Sequence, residues 1–235
     1  MRYAFIEEIQ DYAPFQLAYL KYNFPRAKFT MLGDLNQAIF TKDESRSLLK
    51  QISGLFDPKK TDVVQLTKSY RSTKQITDFT KQILRQGEKI ESSNPQGPLP
   101  AIYGRKNEDE AIDSLVGILR NNDNEKFTTA IITKDLASAK QVHKLLAKKK
   151  QKTTLIATAN QRLVNGDLVV PSYLAKGLEF DAVVMWDATK KTYHALDETQ
   201  LVYTITSRAM YKLDIIYTGE KSPLLTVTPG SYEEK

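Results

Sequence analysis

Leu168-Val169-Val170-Pro171-Ser172-Tyr173-Leu174-Ala175-Lys176-Gly177-Leu178-Glu179-Phe180-Asp181-Ala182-Val183-Val184-Met185-Trp186 is two apolar runs joined by a charged loop. Residues 168–170 and 182–186 have the length and β-branched content of buried strands. Between them stand a Lys, a Gly and two acids, charges that packing alone would not place there. An amphipathic helix is expected next, over 201–210, carrying Arg208 among apolar and small residues. A closing strand follows at 213–217, and the last dozen residues read as a tail. Strand, loop, strand, helix, strand is an α/β rhythm.

The rhythm extends upstream. Strands are expected at 101–103, 127–133 and 154–157, with helices at 108–120 and 135–149. Residues 91–100 hold Pro95, Pro98 and Pro100 and form the clearest loop. Earlier still, strands at 3–6, 28–32 and 63–67 alternate with helices at 14–24, 45–52 and 74–86. Pro14 suits a first helical turn, and Phe15, Leu17, Ala18, Leu20 and Phe24 make its apolar stripe. Ser72 or Thr73 can cap the helix that starts at Lys74.

Three of these strands end in polar clusters. Residues 3–6 run into Glu7-Glu8-Ile9-Gln10-Asp11, residues 28–32 into Gly33-Asp34-Leu35-Asn36-Gln37, and residues 63–67 into Lys68-Ser69-Tyr70-Arg71. Carboxylates at the carboxyl end of a parallel strand are where nucleotide and Mg²⁺ sit in α/β folds. A plain acidic turn would look the same for any one of them. An Arg at a strand-to-helix turn can hold a phosphate bidentately.

Composition narrows the class. The 235 residues hold no cysteine and two histidines, so disulfide frameworks and Cys- or His-rich metal sites are excluded. No apolar run approaches the roughly 20 residues of a membrane span. The opening residues do not form a signal peptide, which leaves a cytoplasmic protein as the expectation. The net charge of +6 suits a polyanionic partner. The dense basic cluster, Lys144, Lys148, Lys149, Lys150 and Lys152, reads as a solvated helix C-terminus or as a nucleic-acid patch.

Taken in order, the polar blocks resemble those of the UvrD/Rep-type superfamily-one helicases. Residues 6–11 are similar to the DEAQD Walker B block, 32–37 to the GDxxQ block and 66–72 to the YRS block. Residues 175–181 resemble AKGLEFD, and 203–209 resemble the YVAxTRA block. The wording of 171–177 and 207–210 looks most like the HelD group, helicase-like factors that act on bacterial RNA polymerase. The resemblance implies an α/β, RecA-like (P-loop NTPase-type) fold with a parallel sheet flanked by helices. It places the C-terminal part of a first RecA-like domain at 1–72, a connecting helix and hinge loop at 73–100, and a second RecA-like domain at 101–235.

It also implies roles. Glu8 would act on the attacking water, Glu7 would hold Mg²⁺, and Gln37 would sense the γ-phosphate of ATP. Tyr70 would stack on adenine, Arg71 and Arg208 would contact the γ-phosphate, Glu179 would lie at the nucleotide's ribose side, and Lys176 and Gly177 would also bind the nucleotide. The implied partners are DNA and RNA polymerase. Departures stand beside these matches. No Gly-Lys dipeptide occurs among the 10 glycines, so the phosphate loop G-x-x-x-x-G-K-[ST] is absent. A C-terminal fragment is therefore expected, either an excised piece or the product of a truncated gene. It would be silent as an ATPase without an N-terminal half bearing the loop. Glu7 stands where the family has Asp, Tyr173 where it has a DNA-contacting His, and the stretch after Gln37 offers Phe40 but no Trp. The segment between 157 and 168 is too short for the large inserted domain of UvrD-type enzymes. A non-catalytic module that binds nucleic acid or RNA polymerase is the alternative.

Overall fold

The computed structural model describes residues 1–34, 50, 52–64, 66, 68–69, 71–84, 91–92 and 95–235. The chain divides into two compact units, Met1–Leu66 and Thr67–Lys235.

In the smaller unit, β1 (Tyr3–Ile6) and β2 (Lys28–Met31) pair in parallel, with α1 (Pro14–Asn23) between them in sequence. Alternation along the strands sends Ile6, Phe29 and Met31 toward a core with Ile9, Leu17 and Ile52. It sends Tyr3 and Phe5 to the other face, where they are exposed. The expected stripe on α1 is only partly inward: Leu17 is fully buried, whereas Phe15 is exposed. Of the strand expected at 63–67, the described residues Val63, Val64 and Leu66 are exposed and in no ladder; the next strand in sequence is β3 (Lys68–Ser69), in the larger unit. Most of the helix expected at 45–52 lies outside the described residues.

The larger unit is built on a seven-stranded sheet in the spatial order β11-β5-β10-β9-β6-β8-β7, parallel at every pairing. Its strands are β5 (Ala101–Arg105), β6 (Thr129–Thr133), β7 (Thr154–Leu155), β8 (Asp167–Pro171), β9 (Phe180–Met185), β10 (Ala209–Thr218) and β11 (Glu233–Glu234). A parallel sheet covered on both faces needs strands that are apolar on both sides. Val183, Val184 and Met185 meet that need, all fully buried. One face packs on α3 (Glu108–Asn124) and α4 (Leu136–Lys148) through Leu115, Leu119, Val142 and Leu146. Each helix is capped: Asn107 Oδ1 accepts from Glu110 N at 2.9 Å, and Asp135 Oδ1 from Ser138 N at 2.8 Å.

The other face packs on α2 (Lys74–Ile83), the short α5 (Ser172–Ala175) and α6 (Thr199–Thr206). Here the sequence expectations need correction. In the 73–100 stretch, expected as a connecting helix and hinge loop, Ile76, Phe79 and Ile83 of α2 lie in the main core. Ser72 does not cap α2. Its hydroxyl donates to Ala209 O at 2.6 Å, Thr73 N donates to Met210 O at 2.9 Å, and Thr73 makes no side-chain cap bond. The two-residue β4 (Glu91–Ser92), inside the stretch read as loop, pairs in parallel with β3. The tail is also structured: Leu224 and Leu225 are buried, Tyr232 meets Phe79 edge-on at 6.3 Å, and β11 extends the sheet. No described helix is long and apolar enough to cross a membrane.

One buried acid gives this unit a pH signature. Asp167 opens β8 nearly buried, and burial pushes its carboxyl up to about 6, with Asp123 adding and a hydrogen bond from Gln151 opposing. An unfolded Asp titrates near 3.9. The folded state therefore holds a proton that the unfolded state releases between about pH 4 and 6. The group's contribution is full below pH 4 and lost as pH rises through about 6. Asp167→Asn should therefore stabilise the chain by about 1–2 kcal/mol at pH 7.5. The gain should fade toward pH 4, as read by urea unfolding; a gain that ignores pH would refute the assignment.

Candidate functional site

Five of the expected site residues gather at one edge of the larger unit, where β9 and β10 begin. The loop from α5 to β9 is a tight turn. Lys176 has φ −63° and ψ 135°, Gly177 has φ +75°, and Leu178 N donates to Ala175 O at 3.1 Å. This is a type II turn, which requires a positive φ at its third residue. Gly177 is there for that angle, since a β-carbon on it would meet nothing within 4 Å.

Arg208 supports the turn from the side. It does not lie on the helix, as the sequence suggested; α6 ends at Thr206, and Ala209 and Met210 already belong to β10. Its side chain is 1% exposed. Nε donates to Thr204 O at 3.1 Å, Nη1 to Leu178 O at 3.3 Å and Nη2 to Ser207 Oγ at 3.2 Å. Its own carbonyl accepts from Phe180 N at 3.0 Å. The guanidinium thus ties the end of α6 to the loop that carries Lys176 and Glu179.

Arg71 arrives beside them because Ser72 and Thr73 are fastened to the start of β10. Its Nε pairs with Glu179 Oε1 at 2.5 Å, the two side chains being 41% and 40% exposed. Lys176 is half-buried. Two residues assigned to opposite ends of a nucleotide are here each other's partner. An exposed pair of this kind is worth about 0–1 kcal/mol, so an incoming phosphate can displace the carboxylate.

Glu7 and Glu8 are at the end of β1 in the smaller unit, both exposed. Glu8 sits in the left-handed region, φ 53° and ψ 44°, which is uncommon for a non-glycine residue. Strain of this kind concentrates at working positions. Its carboxylate accepts from Gln10 Nε2 at 2.5 Å, and Gln10 Oε1 accepts from Asp34 N at 3.1 Å. Gln10 is fully buried and clamps the two acidic blocks together. A β-carbon on Gly33 would sit 2.4 Å from Gln10 Oε1, which explains that glycine. The resemblance implies no role for Gln10, although the sequence carries its signal, an amide flanked by acids. Gln37, Tyr70 and Phe40 lie outside the described residues. Among the described residues no group of three or more His, Asp or Glu could hold a metal. Mg²⁺ in phosphoryl transfer needs only one or two carboxylates beside phosphate and water, so Glu7 and Glu8 are compatible with part of its shell.

Of the basic cluster, Lys149 is paired with Asp113 at 2.6 Å, from α4 across to α3, and the other four lysines are exposed around the end of α4.

Residues 168–216 match the family model described as UvrD-like helicase C-terminal domain. These residues span β9, α6 and the turn held by Arg208. No curated protein matches the chain. Among solved structures, the crystal structure of the C-terminal domain of a possible DNA helicase from Lactobacillus plantarum WCFS1 is similar at 47% identity and a TM-score of 0.63. The match covers 71% of this chain and 98% of that one. The chain belongs to the UvrD-like helicase C-terminal domain family.

Proposed function

We propose that this chain is the C-terminal motor portion of an ATP-driven DNA helicase or translocase. In this reading Arg71 and Arg208 are the cationic contacts for the γ-phosphate. The observation that carries it is the convergence of Arg71, Lys176, Glu179 and Arg208, from three separate stretches of sequence, on one edge of the larger unit. Phosphoryl transfer is catalysed mainly by charge placed around the γ-phosphate, and guanidinium groups suit that task. Half-exposed Arg71 can reach a ligand as it stands, whereas buried Arg208 first holds the loop in shape.

Glu8 is the residue that would orient the attacking water, and Glu7 with Glu8 would hold Mg²⁺. The metal, when bound, neutralises charge on the β- and γ-phosphates. Gln10 positions the Glu8 carboxylate through its amide and is a positioning residue. Tyr70 and Gln37 keep their proposed places at adenine and γ-phosphate. The finer reading, action on RNA polymerase, rests on the HelD-like wording of residues 171–177 and 207–210.

ATP turnover needs a phosphate loop, and these 235 residues contain none. The chain alone should therefore show no ATPase activity above background. Adding an α/β segment that carries G-x-x-x-x-G-K-[ST] from the same family should raise turnover, further stimulated by single-stranded DNA. Sustained hydrolysis by the purified chain alone would sink the proposal, as would a complex that forms but hydrolyses nothing.

A further inference from the structure

We propose that a cleft at the carboxyl edge of the larger unit's sheet is a docking pocket for an arginine side chain of a protein partner. It lies over the ends of β9 and β10, whereas the loops carrying Glu179 and Arg208 precede those strands. It therefore stands apart from the nucleotide reading above.

The cleft follows from the topology. In the order β5-β10-β9-β6, the outer two strands lead into α3 and α4 on one face. The inner two lead to Ala188 and Tyr193, and to Leu224 and Leu225, on the other face. Where neighbouring strands exit to opposite faces, a crevice opens at their carboxyl ends, the usual ligand position in open α/β sheets. Here it is a cleft of about 120 Å³ whose walls include Trp186, Asp187, Ile216, Thr218, Glu108 and Gln141. Nucleotide-sized ligands occupy pockets of about 300–1,000 Å³, so this one suits a single side chain.

Its chemistry selects the occupant. The lining contains two carboxylates and no Lys, Arg or His, in a chain whose net charge is +6. Phosphate groups are repelled there, and a cation is drawn in. Trp186, buried on the α3/α4 face with Ile216, is among the residues lining the cleft. Both carboxylates are held in place. Asp187, in the left-handed region at φ 56°, accepts from Thr192 Oγ1 at 2.5 Å through Oδ2. Glu108 accepts from Gln141 Nε2 at 2.7 Å through Oε1. Among the described residues, no hydrogen bond engages the second oxygen of either. A guanidinium satisfies this arrangement: it donates to carboxylates from a planar fork and stacks on an indole face, which lysine does not match.

Trp186 is the chain's single tryptophan, so its fluorescence reports on the cleft directly. The full chain is titrated with N-acetyl-arginine amide, with N-acetyl-citrulline amide as the neutral isostere and free N-acetyl-tryptophan amide as the quenching control. The expected result is a saturable change in Trp186 emission with the arginine compound only. It should weaken about tenfold in Asp187→Asn and in Glu108→Gln, substitutions that can keep the internal hydrogen bonds. The proposal is overturned by no saturable response, by an equal response to citrulline, by unchanged titrations in both variants, or by a response to tripolyphosphate in place of arginine.

Discussion

Arg208→Ala should destabilise the larger unit by about 3 kcal/mol. The sum has three parts. Leu178 O loses the donor it has at 3.3 Å, at a cost of about 1–3 kcal/mol when left buried, and Thr204 O loses one at 3.1 Å but keeps Ser207 Oγ at 3.1 Å, at a smaller cost. The two methylenes beyond Cβ, in a side chain only 1% exposed, leave a void, at about 0.8 kcal/mol per methylene. Against these stands the relief of no longer burying a guanidinium, several kcal/mol, which keeps the net from being larger. For a unit of this size the melting point should fall by about 6–12 °C. Arg208→Lys keeps the charge but not the fork, so it should fall between parent and alanine. Thermal unfolding followed by circular dichroism measures both. An alanine variant that melts within a degree of the parent would show that the carbonyls find other donors, leaving Arg208 to act on a ligand alone.

This result bears on how far the site could be read from sequence. The blocks at 175–181 and 203–209 were legible as a pair, and Glu179 and Arg208 do share one edge. What the letters could not convey is direction. Arg208 is expected to contact a phosphate, and in the structure its guanidinium also bonds backbone carbonyls, because α6 ends four residues earlier than the apolar pattern suggested. Apolar periodicity continues through Ala209 and Met210, whose burial is set by the sheet and not by the helix. The same ambiguity hid β11 and the packed residues 224–225, a polar stretch ordered only by contacts distant in sequence. It also overstated the strand at 63–67, whose described residues Val63, Val64 and Leu66 are exposed. By contrast β8 and β9 are apolar on both faces, a pattern that only a doubly covered parallel strand satisfies, and they were found close to where they were expected. Gly177 was expected at a ligand; its positive φ explains it without one.

Because Arg208 carries the fold of its turn, loss of activity in its variants would not isolate a catalytic role, and Arg71 is the cleaner probe. Its only ion pair among the described residues is with Glu179, at the surface, where truncation should cost no more than about 1 kcal/mol of stability. If Arg71 reaches the γ-phosphate, the same truncation should lower turnover of the ATP-hydrolysing assembly by about 10³-fold or more, the range for a guanidinium that stabilises the transferring phosphoryl group. Arg71→Lys should recover part of the charge effect but not the bidentate contact, and so remain well below the parent. Glu179→Gln separates the two partners. It frees Arg71 while leaving it in place, so it should not reproduce the loss seen when the guanidinium itself is removed. Steady-state ATP hydrolysis, with chemical denaturation of each variant alongside, decides the matter. Turnover within about threefold of the parent in Arg71→Ala, with the fold intact, would remove Arg71 from the phosphate site and leave the ion pair with Glu179 as its whole role.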